Sequence, residues 1–336
     1  MIETPAALDP AEVEALAERF RTTWERLRAE IGKVIVGHGT VLEQTLAGLF
    51  AGGHILLEGV PGLGKTLLVR TVARALDLRF RRIQFTPDLM PADILGTSVV
   101  LDDAGGHKRF EFREGPVFGN LVLADEVNRA TPKTQSALLE AMEEHSVTVF
   151  GTTRTLTEPF CVIATQNPIE LEGTYPLPEA QIDRFLLKAH VAAPDRDELN
   201  QVLQRTTGNP APTPEVVASA ADVLSLRAFV RQVPCAKHVL DYVARLVLAT
   251  SPATEGAPDI VKRYVRFGSS PRGAQAMVLA GKVLALMRGR AHVTFDDIRS
   301  VAHPALRHRI LLSFEGEAER IETDCVVDAV LDACDE

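Results

Sequence analysis

An α/β domain built on a central parallel sheet, followed by a small all-α domain, is the fold that the 336-residue sequence predicts. Three observations predict it. From about residue 50, short apolar runs alternate with helical stretches, as when crossover helices join parallel strands. One junction carries Gly59-Val60-Pro61-Gly62-Leu63-Gly64-Lys65-Thr66, which fits the phosphate-cradling pattern G-x-x-x-x-G-K-[ST] in its required place between a strand and a helix. Beyond the Pro-rich stretch Thr207–Pro214 the periodicity is helical.

Residues 1–32 open the chain with an amphipathic helix. Asp9-Pro10-Ala11-Glu12 reads as its capping box, and Val13, Leu16, Phe20, Trp24, Leu27 and Ile31 recur at helical spacing. Residues 33–206 hold five strand candidates: His54–Glu58, Arg82–Phe85, Asn120–Ala124, Phe160–Thr165 and Phe185–Lys188, with helices such as Thr66–Leu76 and Lys133–Glu143 between them. Two intervals read as β-hairpin inserts, Val99–Phe112 around Gly105-Gly106 and Ser146–Leu156 around Gly151. Residues 207–215 form the linker. In residues 216–336 the helices expected are Val216–Leu226, Cys235–Thr250, Pro271–Arg288 and Phe295–Ala302, the last capped by Thr294-Phe295-Asp296-Asp297. No strand alternation is visible there.

Composition narrows the function classes. No stretch approaches the roughly 18 uninterrupted apolar residues of a membrane span, and the acidic N-terminus lacks a signal-peptide pattern, so the cytoplasm is the expected location. The cysteines Cys161, Cys235, Cys325 and Cys334 form no CxxC pair, and no two histidines stand at i, i+4, which argues against a zinc site. A net charge of −9 argues against a broad surface for duplex nucleic acid.

The chemistry lies at strand ends. In the Gly59–Thr66 loop, glycines let backbone N–H groups wrap a triphosphate, Lys65 reaches the β- and γ-phosphates, and the Thr66 hydroxyl is a ligand for Mg²⁺. ATP and Mg²⁺ are therefore the expected ligands. Leu121-Val122-Leu123-Ala124 ends in Asp125-Glu126: Asp125 to hold Mg²⁺ through its water shell, Glu126 to orient the attacking water. The plainer reading of this pair is a cap on the following helix. Asn167, at the end of the fourth strand, is placed to sense the γ-phosphate or, more plainly, to start an Asn-Pro turn. Glu143-Glu144 reads as a solvated helix end.

These residues, in this order, resemble an AAA+ ATPase. The resemblance implies that Arg184, in Asp183-Arg184-Phe185, stabilises charge in a neighbouring subunit's site. It also implies that Arg272, in Ser269-Ser270-Pro271-Arg272-Gly273, closes over the phosphate of its own chain. More narrowly, the chain resembles the MoxR-type AAA+ ATPases. The carriers are Ile35-Val36-Gly37, the Gly59–Thr66 loop, Gln84-Phe85-Thr86-Pro87-Asp88-Leu89-Met90-Pro91, Phe112-Arg113-Glu114-Gly115-Pro116, Ala124-Asp125-Glu126-Val127-Asn128-Arg129-Ala130, Ala164-Thr165-Gln166-Asn167-Pro168 and Leu177-Pro178-Glu179-Ala180-Gln181-Ile182-Asp183-Arg184-Phe185. This resemblance implies a helix-2 insert and a pre-sensor hairpin (the two hairpins), a helical lid and a hexameric ring. It further implies chaperone-like remodelling of a protein client, often with a partner bearing a von Willebrand factor A domain. Val36 and Gly37 would line the adenine pocket; from the residues alone they are a helix-terminating turn. Arg129 would reach a neighbouring subunit or form a surface salt bridge. Two rival readings share the nucleotide site: a DNA-directed MCM-like motor, for which Lys108, Arg109 and Arg154 are a thin phosphate track, and a nucleotide-gated assembly scaffold.

Overall fold

The structure, a computed structural model, describes residues 9–102, 108–168, 173–208 and 212–334. Its strands in chain order are β1 (His54–Glu58), β2 (Phe80–Gln84), β3 (Gly96–Asp102), β4 (Lys108–Glu114), β5 (Leu121–Asp125), β6 (Ser146–Val149), β7 (Thr152–Thr155), β8 (Cys161–Gln166), β9 (Phe185–His190), β10 (Val265–Phe267) and β11 (Leu311–Leu312). Five of them make one sheet in the order β2-β5-β8-β1-β9, and every pairing is parallel. The inner strands β1, β5 and β8 are buried almost end to end. Their unbroken apolar runs, which do not alternate, are what a sheet covered on both faces requires.

The helices of the first part are α1 (Pro10–Val34), α2 (Gly39–Ala51), α3 (Lys65–Ala75), α4 (Pro91–Leu95), α5 (Pro132–Glu144), α6 (Glu179–Ile182) and α7 (Arg196–Thr207). At the head of α1 the Asp9 N–H donates to Glu12 Oε2 at 3.3 Å. Phe20, Trp24, Leu27 and Ile31 are buried as their spacing predicts. Phe20 meets Phe50 of α2 edge to face, with ring centroids 5.2 Å apart. The N-terminal helix is therefore part of the main core.

Both hairpins are present. β3 and β4 pair antiparallel from Gly96↔Glu114 to Asp102↔Lys108; the expected Gly105-Gly106 turn lies outside the described residues. At the base Gly96 has φ +97°, and a Cβ there would stand 2.3 Å from Arg113 O. β6 and β7 pair from Ser146↔Thr155 to Val149↔Thr152. They turn at Phe150-Gly151, both at positive φ, which suits the right-handed twist of the strands. The Arg154 guanidinium lies 3.8 Å from the centre of the Phe112 ring, so the two inserts touch.

The C-terminal domain contains α8 (Ala220–Gln232), α9 (Lys237–Ala249), α10 (Asp259–Tyr264), α11 (Pro271–Met287), α12 (Phe295–Leu306), α13 (Phe314–Ala318) and α14 (Thr323–Ala333). It is helical apart from the ribbon β10–β11, too short to show alternation in sequence. α8 begins four residues later than expected. The Val217 N–H is tied to Ala75 O at 2.8 Å, and Ser219 caps the helix. Of the expected linker, residues 209–211 lie outside the described set. A continuous apolar core runs from α1, α2 and α3 under β1 to α8, α9, α11, α12 and α14. A second core fills the other sheet face, between β2, β5, β8 and α5.

Candidate functional site

The loop after β1 leaves the C-terminal edge of the sheet between the ends of two strands. Gly59 N donates to Gln166 O of β8 at 3.2 Å, and a Cβ on Gly59 would stand 2.7 Å from Val191 O. Gly62 and Gly64 have φ of +85° and +75°, and Gly64 caps α3, which starts at Lys65. N–H groups at a helix start favour an anion. The Lys65 ammonium donates to Gly59 O, and to Val60 O at 3.3 Å. Burial pushes it below its usual range, against the pull of Asp125, Glu126 and Glu58. The loop from Pro61 to Thr66, with Arg82, Gln84, Asp125, Glu126 and Asn167, lines a cavity of about 380 Å³. These strand ends thus gather Lys65, Thr66, Asp125, Glu126 and Asn167 at one place.

The two acids are held differently. Thr165 Oγ1 donates to Asp125 Oδ1 at 2.7 Å and accepts the Glu126 N–H at 2.8 Å. Asp125 Oδ2 accepts from Thr66 Oγ1 at 3.4 Å, and from Arg82 Nε at 3.1 Å and Nη2 at 2.8 Å. Thr66 and Asp125 therefore converge as hard oxygen donors, a set that fits a magnesium ion. Glu126 leaves β5 at φ +57°, in the left-handed region, which turns its side chain out of the strand direction. Its Oε2 accepts from Gln84 Nε2 at 2.9 Å and pairs with Arg129 Nε at 3.2 Å. Arg129 thus meets the acid of its own chain.

Arg184 and Arg272 lie elsewhere. Arg184 precedes β9 at the N-terminal edge of the same sheet, and the six residues of β9 span about 16 Å. They line a separate cavity of about 380 Å³ with Glu143, Asp183 and Arg309. Arg184 Nη2 pairs with Glu143 Oε2 at 2.5 Å, and Arg184 Nη1 donates to Leu139 O at 2.7 Å. Arg272 Nη2 pairs with the other oxygen, Glu143 Oε1, at 2.9 Å. Two placements are specific to this arrangement. Arg272 stands beside Arg184 and does not line the cavity of its own P-loop. Glu143 is bound by two guanidinium groups and is not merely a solvated helix end. Asp183 fastens the domains behind this pair: Ser270 Oγ donates to it at 2.9 Å, and the buried Arg309 does so through Nε at 2.8 Å.

Val36 and Gly37 form the turn between α1 and α2, outside the P-loop cavity. Gly37 has φ +65°, and a Cβ there would stand 2.5 Å from Glu198 Oε1 of α7. Arg82, Gln84, Glu143, Asp183 and Arg309 were given no role by the sequence. Arg82 and Gln84 alternate on an edge strand, which placed them on one side, but nothing in the local sequence pairs them with Asp125 and Glu126.

Comparison with known proteins agrees with this geometry. Residues 54–187 match the ATPase family associated with various cellular activities, and residues 258–330 match its lid domain. Chaperone MoxR1 of Mycobacterium tuberculosis is 43% identical over 96% of this chain and 84% of its own length. Protein MoxR of Methylorubrum extorquens is 32% identical over 92% of this chain and 93% of its own. A putative ATPase from Cytophaga hutchinsonii superposes with a TM-score of 0.90 at 42% identity, covering 97% of this chain and 98% of that one. With the ATPase and lid models matched and relatives 32–43% identical over more than nine-tenths of the chain, the protein belongs to the MoxR-type AAA+ ATPases.

Proposed function

We propose that this ATPase works as a ring, hexameric by analogy with its family, in which each hydrolysis site is completed by a neighbouring chain. The observation that supports it is the separation of the P-loop cavity and the Arg184–Arg272 pair onto opposite edges of one parallel sheet. An arginine side chain cannot cross that distance, so the pair acts on a second copy. Arg272 is thereby assigned to the neighbour's phosphate along with Arg184.

In this reading the Gly59–Thr66 loop and Lys65 hold the ATP phosphates, and the Val36-Gly37 turn borders the adenine. Thr66 and Asp125 would hold Mg²⁺, which neutralises phosphate charge when bound. Glu126 directs a water at the γ-phosphate while Asn167 positions it, and Arg184 and Arg272 of the next chain stabilise the charge that develops. The functional parts are the N-terminal helix (1–32), the ATPase core (33–206), the linker (207–215) and the lid (216–336). Turnover moves the two hairpins against a protein client in the cytoplasm, with a von Willebrand factor A domain protein as the partner class by family analogy. Arg154 is stacked on Phe112 between the two inserts, a structural role that supports a protein client over DNA.

The deciding experiment is Glu126→Gln. The variant should bind ATP, hold it in the assembled ring and release no phosphate; normal turnover by it would refute the assignment.

A further inference from the structure

Glu143 is the penultimate residue of α5, at the end of the helix where a negative charge is unfavourable. What offsets this is a pair of guanidinium groups from distant parts of the chain. Arg184 comes from the start of β9 and Arg272 from the first turn of α11 in the lid, and Glu143 gives one carboxylate oxygen to each. Arg184 has a second hold on the same helix, at Leu139 O. Asp183, next to Arg184 in the chain, also lies 3.9 Å from Arg272 Nη1. All three members of the triad keep solvent-facing surface: Arg184 is 28% exposed, Arg272 45% and Glu143 38%, so an approaching anion can reach them.

The chemistry of that arrangement is specific. A carboxylate and a terminal phosphate offer a guanidinium the same thing, anionic oxygens set close together on one centre. Two arginines bound to the two oxygens of one carboxylate are therefore spaced as they would be on two oxygens of one phosphate. A γ-phosphate carries more charge than Glu143 and is free of the adverse helix end, so it outcompetes the carboxylate once it arrives.

We propose that Glu143 is a positioning residue for hydrolysis on the neighbouring chain: it gathers Arg184 and Arg272 into one paired unit and yields them to the neighbour's γ-phosphate. The proposal rests on the trans reading above. It assigns to the end of α5 the task of keeping one arginine from the core and one from the lid in register before the chains meet.

The test compares Glu143→Gln, Glu143→Asp, Arg184→Ala and the double variant Glu143→Gln/Arg184→Ala in the full-length chain. Two quantities are read: steady-state kcat alongside ATP affinity, and the chain concentration at which a non-hydrolysable ATP analogue drives assembly relative to ADP, followed by sedimentation. Glu143→Gln should lower kcat by about tenfold with unchanged ATP affinity, because it misplaces groups that act only across the interface. It should also shrink the advantage of the triphosphate over ADP in assembly, and Glu143→Asp should restore part of both. Adding Glu143→Gln to Arg184→Ala should cost less than Glu143→Gln costs in the wild type, because only Arg272 is then left to place. Wild-type kcat and full triphosphate preference in Glu143→Gln, with both lost in Arg184→Ala, overturns the proposal and leaves the trans reading standing. A fall in melting temperature alone, with kcat kept, likewise overturns it. If Arg184→Ala keeps both properties, the trans reading itself falls and Glu143 has nothing to position.

Discussion

Gln84 Nε2 donates to Glu126 Oε2 at 2.9 Å, so the carboxylate bordering the P-loop cavity is held by an amide from the adjacent strand. Arg129 pairs with the same oxygen at 3.2 Å. Both contacts stabilise the anion and occupy a lone pair that a water would use. Gln84→Leu should therefore raise turnover by about tenfold, the equivalent of the lower end, about 1.5 kcal/mol, for one hydrogen bond to a charged group. Phosphate release by the unstimulated protein checks this, and a fall in rate would mean that Gln84 orients Glu126 productively.

Sites completed across a boundary can be rescued by mixing. Lys65→Ala lacks a phosphate grip but keeps Arg184, while Arg184→Ala has the reverse defect. Each should be nearly inactive alone, and an equimolar mixture should regain a measurable fraction of wild-type turnover. Two inactive parents giving an inactive mixture, despite shared assembly by sedimentation, would place Arg184 outside the neighbour's site.

The N-terminal helix should carry a large share of stability. Phe20 is 1% exposed and sits against Trp24 and Phe50. Phe20→Ala should cost about 3–5 kcal/mol in denaturant unfolding. A loss below about 1 kcal/mol would mean that the helix packs on the core only loosely.

Acid should weaken the fold through His54. Its Nδ1 accepts the Val162 N–H at 2.9 Å, so the ring proton is on Nε2, which donates to Met142 O at 3.0 Å. Burial, aided by the nearby His145 and Arg227, outweighs that last bond and pushes the ring from 6.5 down to about 4. Between these values the unfolded chain takes up a proton that the folded chain refuses. Stability is thus intact above about pH 6.5 and falls as pH drops towards 4, by on the order of 3 kcal/mol from this group. Urea unfolding at pH 7 and pH 5, with His54→Asn as reference, measures it; equal pH slopes in the two proteins would remove His54 as the cause.

The parts readable from sequence were those whose physics is local. A P-loop needs its glycines, lysine and threonine in one short run, and Thr294 with Asp297 caps α12 as their spacing says: Thr294 N donates to Asp297 Oδ2 at 3.0 Å. The three inner strands β1, β5 and β8 were legible because a strand covered on both faces is apolar almost throughout, while the edge strand β2, Phe-Arg-Arg-Ile-Gln, begins two residues before the expected Arg82. α2 was harder, since Val41, Leu42 and Leu46 to Ala51 are buried around most of the helix and leave little polar face to mark its period. The start of α8 differs because Val216-Val217-Ala218 looks helical by composition, while the Val217 and Ala218 N–H groups both donate to Ala75 O and so are not available to the helix. Arg82, Gln84 and Glu143 escaped for a different reason. Their partners stand 43, 42 and, for Arg184, 41 residues away, and nothing in a linear pattern records a pairing across strands or between a helix end and a strand start.

The two edges of the sheet also give each copy a front and a back. In the proposed assembly, contacts between copies join unlike surfaces, which stack into an open row or close into a ring. An open row wastes both ends: one nucleotide cavity has no arginines opposite it, and one arginine pair has no phosphate to meet. Closing the row repairs both defects in a single contact and adds a working site without adding a chain. Turnover per chain should accordingly climb as open rows lengthen and stop climbing at closure, so that activity itself counts the copies.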